Sequence, residues 1–153
     1  MPLIYLETFI NAPVEIVFDV SRNVDIHQSS MTKYKEEIVD GVASGMVKQG
    51  DTITWRAKHL FKNRLFKSKI TEMNVPSFFV DEMVEGDFKK MRHEHRFKAI
   101  DNGMLMIDQF YFETPYGIFG KLVNFLFLKS YMKRLLAERN KEIKRIAEAA
   151  SRP

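Results

Sequence analysis

His93 and His95 stand two residues apart in the segment Met91-Arg92-His93-Glu94-His95-Arg96-Phe97. On an extended strand that spacing sends both imidazoles to one face and Arg92, Glu94 and Arg96 to the other. Imidazole titrates near neutral pH and both donates and accepts hydrogen bonds. A pair of them beside an acid can move a proton or hold the polar head of a ligand. The acid comes from the next strand. Asn102-Gly103 is the dipeptide of a two-residue type I′ hairpin, and pairing Asp101 with Met104 sets Ala99 opposite Met106, Phe97 opposite Asp108, His95 opposite Phe110 and His93 opposite Phe112. One face of this hairpin then carries His93, His95 and Asp108 among Phe97, Met104, Met106, Phe110 and Phe112.

A second hairpin adds His59 and Trp55 to that surface. With Lys62-Asn63 as its turn, Phe61 pairs with Arg64, His59 lies opposite Phe66, Ala57 opposite Ser68 and Trp55 opposite Ile70. Arg56, Lys58, Lys67 and Lys69 fall on the outer face. Acids and imidazoles buried without partners are costly, so these groups must bond to one another or to a ligand. Two readings follow: a satisfied structural network within the sheet, or polar groups facing a bound molecule.

Several further elements are needed to hold these groups in place. Leu3 to Asn11 is rich in β-formers and reads as a first strand. Ala12-Pro13 opens a short helix with Ile16, Val17 and Val20 facing inward, and Asn23 or Asp25 opens a second one carrying His27. Lys33 to Asp40 reads as a polar edge strand, followed by a connection punctuated by Gly41, Gly45 and Gly50; Phe78 to Val84 is another strand, ended by Gly86. From about Ile118 to Ala149 the pattern becomes one long helix. Ile118, Leu122, Phe125, Met132, Leu136, Ile143 and Ala147 fall on one side of it, interrupted by Lys129 and Asn140. A second stripe of Phe119, Val123, Phe127 and Tyr131 lies on the opposite side, so the first half of the helix is apolar nearly all round. The order is strand, two short helices, a run of hairpin-connected strands, then a long helix. Without a βαβ rhythm the sheet should be antiparallel with helices on one face, an α+β arrangement in a single domain over residues 1–153.

Composition narrows the function classes. The 153 residues carry 24 Lys and Arg against 20 Asp and Glu, a net charge of +4 without a strong basic run, so no nucleic-acid partner is expected. The chain has no cysteine, which excludes disulfide and thiol chemistry and favours a reducing compartment. Met1-Pro2-Leu3-Ile4 lacks the charged region of a signal peptide, and no apolar run is long enough to span a bilayer; the expected location is cytoplasmic. Thirteen Phe and nine Met suit an adaptable apolar interior. Phosphate-binding glycine loops, a serine nucleophile elbow and the H-E-x-x-H zinc motif do not occur.

The element order has a family resemblance carried by particular segments: Ile10-Asn11-Ala12-Pro13-Val14-Glu15 at the first helix, the run from Phe79 through Asp81, Gly86 and Phe88 to His93-Glu94-His95, and Pro115-Tyr116-Gly117 before the last helix. With these the chain resembles the Bet v 1-like, START-related (SRPBCC) superfamily that includes polyketide cyclases, in a bacterial branch described as cyclase/dehydrase-like or lipid-binding-like. The similarity covers essentially the whole chain. It implies a helix-grip fold: a curved antiparallel sheet of about six or seven strands wrapped around a long C-terminal helix, with two short helices after the first strand and an apolar cavity between. It also implies that Asp81 shares the concave face. Relatives bind lipids, hormones or quinones, cyclise polyketides, or assist chaperones, so the resemblance is specific for fold and not for activity. No catalytic set of the characterised cyclases has matching residues here.

The expected role is binding, transport or sensing of an apolar small molecule such as a lipid, a quinone or a polyketide-like compound. Trp55, His59, Asp81, His93, His95, Phe97, Met106, Asp108, Phe110, Phe112 and Phe125 are the expected ligand-binding residues. The alternatives are a cyclase, dehydratase or hydrolase using His93, His95 and Asp81 or Asp108 as acid–base groups, and a protein-interaction module with a vestigial cavity. His93 and His95 with His59 or Asp81 could offer metal ligands, but any strand with H-x-H presents that geometry, so no metal and no cofactor is expected. Phe119, Val123 and Phe127 offer a peripheral contact with a membrane or a protein partner.

Overall fold

The alternation read from the hairpins becomes a seven-stranded sheet in the order β1-β7-β6-β5-β4-β3-β2, with every neighbouring pair antiparallel. The strands are β1 (Leu3–Ile10), β2 (Glu37–Gly41), β3 (Thr52–His59), β4 (Lys62–Asn74), β5 (Phe78–Glu85), β6 (Lys90–Ile100) and β7 (Gly103–Glu113). Helices α1 (Val14–Ser21) and α2 (Val24–Ser30) follow β1, and α3 (Lys121–Ala150) follows β7. The structure is a computed structural model that describes residues 3–59, 62–114 and 121–152, with the backbone alone for 121–125. This is the α+β helix-grip architecture. The pairing is irregular between Ile38 and Asp40, between Lys67 and Ser68, and between Ile70 and Glu72, and such bulges bend and twist a strand.

Local chemistry explains the short helices. Pro13 is the N-cap residue of α1 at φ −61°, and the Asn23 side chain accepts a hydrogen bond from the Ile26 N–H at the start of α2. Helix α1 buries Val17, Phe18 and Val20, and Phe18 meets Phe79 and Phe97 edge-on at 5.7 and 5.1 Å. On α3, Leu136, Arg139, Asn140, Ile143 and Ala147 are buried. Leu136 packs in an apolar cluster with Ile4, Met91, Phe110 and Phe112.

Both hairpin registers differ from the sequence expectation. Between β6 and β7, Ala99 pairs with Met104, Phe97 with Met106, His95 with Asp108 and His93 with Phe110. The slip arises because the turn sits on Asp101-Asn102, neither of which has positive φ, and Gly103 at φ 149° already begins β7. It is therefore not a type I′ turn. Between β3 and β4, Trp55 pairs with Phe66, Ala57 with Arg64 and His59 with Lys62, so Lys62-Asn63 belong to β4 rather than to a turn. Nothing in Lys62-Asn63 demands a turn, and the burial of Trp55, Ala57, Ser68 and Ile70 sets the register instead. Both slips are by an even number of residues, so every side chain keeps its expected face.

Strand β2 begins later than expected. Thr32–Tyr34 form a 3-10 turn and Lys35 takes a left-handed conformation at φ 53°, so extended backbone starts only at Glu37. The expected helix start near Ile118 lies outside the described residues.

Candidate functional site

A cavity of about 280 Å³ lies between the concave face of the sheet, helix α2 and helix α3. Ile53, Ile70, Phe79, Met91, Met132 and Leu136 supply apolar wall. Of the expected site residues, Trp55, His59, Asp81, His93, His95 and Phe110 line it. Phe97, Met106, Asp108 and Phe112 are buried on the same face without bordering the hollow. The Phe125 side chain lies outside the described residues.

The inner end of the cavity is polar, and alternation along three adjacent strands builds it. His93 and His95 point inward from β6, Asp81 from β5 and Asp108 from β7. His93 Nε2 and Asp108 Oδ1 are 2.7 Å apart, and His95 Nε2 and Asp81 Oδ2 are 2.6 Å apart. The two imidazole rings lie against each other at 3.7 Å, and Phe79 stacks on His95 at 4.1 Å. Helix α3 closes the cluster from above. Arg139 Nη2 donates to Asp108 Oδ1 over 3.2 Å, and Asn140 Nδ2 donates to Asp108 Oδ2 over 2.7 Å. Asp108 is thus a fully buried carboxylate with three donors, the arrangement that makes a buried charge tolerable.

Electrostatics fixes the protons. Burial alone would raise the Asp108 carboxyl, but the Arg139 guanidinium and the His93 hydrogen bond outweigh it and hold it well below the usual carboxylate range. Burial would likewise raise Asp81, and the hydrogen bond from His95 overcomes it and holds that carboxyl low too. Burial, with His93 alongside, pushes His95 down to about 4 against the pull of Asp81, so its ring is neutral at pH 7. A carboxylate can only accept, so the His95 proton sits on Nε2, facing Asp81. His95 Nδ1 is left as a buried lone pair without a hydrogen bond among the described residues, 3.5 Å from Asp108 Oδ1.

A second polar group borders the cavity nearer α2. His27 lies against Trp55 at 4.6 Å, and its Nε2 comes within 3.2 Å of Glu36 Oε2 without hydrogen-bond geometry. His59 Nδ1 lies 2.8 Å from the Tyr131 hydroxyl, and the Tyr34 ring lies tilted against His59 at 4.8 Å. Burial lowers His59, and burial with Glu138 nearby pushes the Tyr34 hydroxyl up to about 12. Arg64 and Asp87, both on the cavity lining, are joined at 2.7 Å.

Sequence reasoning missed Arg139, Tyr34 and Tyr131 as members of the site. For Arg139 a signal existed. Leu136, Arg139, Asn140 and Ile143 follow the i, i+3, i+4, i+7 spacing of one helix face, so a buried stripe through Leu136 includes Arg139 and Asn140. Tyr34 had no such signal, because a 3-10 turn and a left-handed Lys35 orient it where an edge strand was expected.

Asp81, His93 and His95 bring candidate metal-ligand atoms within 4.8 Å of one another. The Nε2 hydrogens of both histidines already serve carboxylates, so a metal ion there would have to displace those hydrogen bonds.

No family model matches the sequence, and no curated protein matches it significantly. Solved structures do share its fold over nearly the whole chain. A protein designated TTHA0849 from Thermus thermophilus is 20% identical with a TM-score of 0.75, covering 99% of this chain and 100% of the other. The Zhui aromatase/cyclase of a Streptomyces species is 14% identical with a TM-score of 0.79, covering 99% and 96%. Major latex-like protein 151 of Panax ginseng is 15% identical with a TM-score of 0.66, covering 99% and 98%. At these identities the likeness is one of fold: the Bet v 1-like, cyclase-containing helix-grip architecture that the sequence resembled.

Proposed function

We propose that this protein binds an apolar small molecule with one polar end, as a carrier or sensor, in the cavity under α3. The observation that carries the reading is the hollow itself, about 280 Å³ of mostly apolar wall with Asp81, His93, His95 and Arg139 at one end. Ligand pockets of globular proteins have this make-up, apolar walls with a few convergent polar groups. The test is displacement of an environment-sensitive dye by fatty acids, quinones and flat aromatics, on wild type and on His95→Phe. Wild type should rank ligands by head group, and His95→Phe should lose that ranking while keeping apolar binding. Identical rankings would make the histidines purely structural.

The dyad at the cavity wall favours a second reading, an acid–base enzyme of the cyclase or dehydratase kind. His93 has Nε2 committed to Asp108, which orients its ring against the cavity, and Asp108 would act as a positioning residue. Native mass spectrometry of protein purified without detergent separates the two. A single unchanged ligand supports the carrier, whereas a compound found together with its dehydrated product supports the enzyme. An open cavity weighs against a vestigial one.

A peripheral contact with a membrane is part of the same proposal. Leu126 and Phe127 on α3 are each 56% exposed, and Lys133 and Arg134 follow on the same helix, also exposed. The side chains of Phe119 and Val123 lie outside the described residues. Phe127→Ser should weaken co-sedimentation with anionic vesicles while leaving the thermal midpoint nearly unchanged; marked unfolding would make Phe127 part of the core. Among the described residues no helix is long and apolar enough to cross a membrane. A cytoplasmic location is proposed from the cysteine-free composition.

A further inference from the structure

The donors and acceptors at the inner end of the cavity are unequally committed. His95 Nε2 gives its hydrogen to Asp81 Oδ2, and His93 Nε2 gives its hydrogen to Asp108 Oδ1. Arg139 spends Nη2 on Asp108 and Nε on Asn140 Oδ1, leaving Nη1 without a hydrogen bond among the described residues, and Asn140 Nδ2 also serves Asp108. Asp81 differs. Only its Oδ2 is engaged, by His95; Oδ1 makes no hydrogen bond among the described residues, and the side chain keeps 20% exposure on the cavity lining. Asp81 thus presents an uncommitted carboxylate oxygen at the edge of an apolar hollow, beside the uncommitted Nη1 of Arg139.

Charge points the same way. Two carboxylates, Asp81 and Asp108, face one guanidinium, Arg139, around a neutral His95 and the His93 ring bonded to Asp108. Arg139 is the group that could favour an anion through its uncommitted Nη1, but its charge is already shared with Asp108, and an anionic head reaching it would sit beside Asp81. Like charges at short range in a poorly solvated site repel strongly.

Building on the proposed cavity binding, we propose that the ligand's polar end is a hydrogen-bond donor, a hydroxyl or a protonated amine, seated on Asp81, and that carboxylate-headed amphiphiles are discriminated against. An apolar tail would then lie along Phe79, Met91, Phe110 and Leu136. The neutral and cationic donors share one chemistry, donation to a carboxylate, and one experiment separates them.

The experiment uses displacement of Nile red at neutral pH by decan-1-ol, decylamine and decanoate, which share an apolar chain and differ at the head. Wild type should bind decan-1-ol or decylamine about tenfold or more tightly than decanoate, the scale of one hydrogen bond to a charged group. Asp81→Asn, checked for folding by circular dichroism, should bring the three to within about threefold of one another. The better of the two donors in wild type identifies the head as hydroxyl or ammonium. Decanoate equal to or tighter than both donors in wild type would overturn the donor assignment while leaving the cavity reading intact. Displacement by none of the three would remove the donor assignment, and dye-based binding of the wider ligand set then decides the cavity reading separately. Should Asp81→Asn fail to fold, Asp81→Glu retains the carboxylate and should retain the preference for donors over decanoate; losing it overturns the assignment.

Discussion

The His95 ring stacks on Phe79, rests against His93 and faces Asp81 and Asp108, with Arg139 above. A histidine held neutral in the fold takes up its proton more readily when unfolded. Between the ordinary value of 6.5 and the folded value of about 4, the unfolded chain binds the extra proton and acid favours unfolding. Stability should therefore be full above pH 6.5 and fall by about 3 kcal/mol as the pH drops toward 4. Asp81 and Asp108 have folded values below their unfolded 3.8, so their contribution is present above that pH and is lost only under stronger acid. Urea unfolding at closely spaced pH values should show both segments. His95→Gln should shrink the upper one, leaving the part that the burial of His59 contributes in the same window, and spare the lower. An unchanged upper segment in that variant would mean His95 is not the group responsible.

Individual elements carry their own tests. Gly103 begins β7 at φ 149°, and a Cβ there would lie 2.5 Å from the Ile10 carbonyl oxygen. Gly103→Val should cost about 1–3 kcal/mol, from backbone strain and from pushing β1 off β7, measured as a lower urea midpoint. The substitution is informative although the turn is not the expected type I′, because close approach to β1 replaces turn geometry as the reason for glycine. On α3, Leu136→Ala should destabilise by about 2–5 kcal/mol by opening a cavity between sheet and helix. Exposed Lys141 is the proper control, and Lys141→Ala should change stability little. Glu138 is not a neutral control, because its Oε2 accepts from the Tyr34 hydroxyl at 3.3 Å. Equal losses in Leu136→Ala and Lys141→Ala would place the buried face of α3 elsewhere.

At the scale of the molecule, the sheet and α3 hold apart a volume that a tighter core would have filled. Protein interiors close-pack, so a retained hollow leaves stability for a ligand to restore. A ligand that binds only the folded state should raise the thermal midpoint in a concentration-dependent way, by about 2.7 kcal/mol of stability at a hundredfold excess over its dissociation constant. Thermal scans against rising decan-1-ol, kept below its solubility limit, check this; a midpoint that does not move would argue for an empty interior.

Alternation by itself determined which residues of this chain face inward. His93, His95, Phe97, Met106, Asp108, Phe110 and Phe112 share a buried face because side-chain direction has a period of two, and no register error of even length can undo that. The element order likewise determined the α+β class, while the helix grip was implied by the family resemblance. Pairing partners were not legible in the same way. The Asp101-Asn102 turn and the pairing of His59 with Lys62 depend on burial summed over whole strands, which outweighs a dipeptide preference. Nor did local pattern reveal that Arg139 is a partner of Asp108, 31 residues earlier. The spacing puts Arg139 on the buried stripe through Leu136, but no spacing along the helix names the carboxylate beneath it. Only the tertiary structure decided which carboxylate serves which imidazole, and which oxygen was left facing the cavity. Hydrogen bonds reach about 3 Å and follow from distances between strands and helix, which no one-dimensional spacing contains.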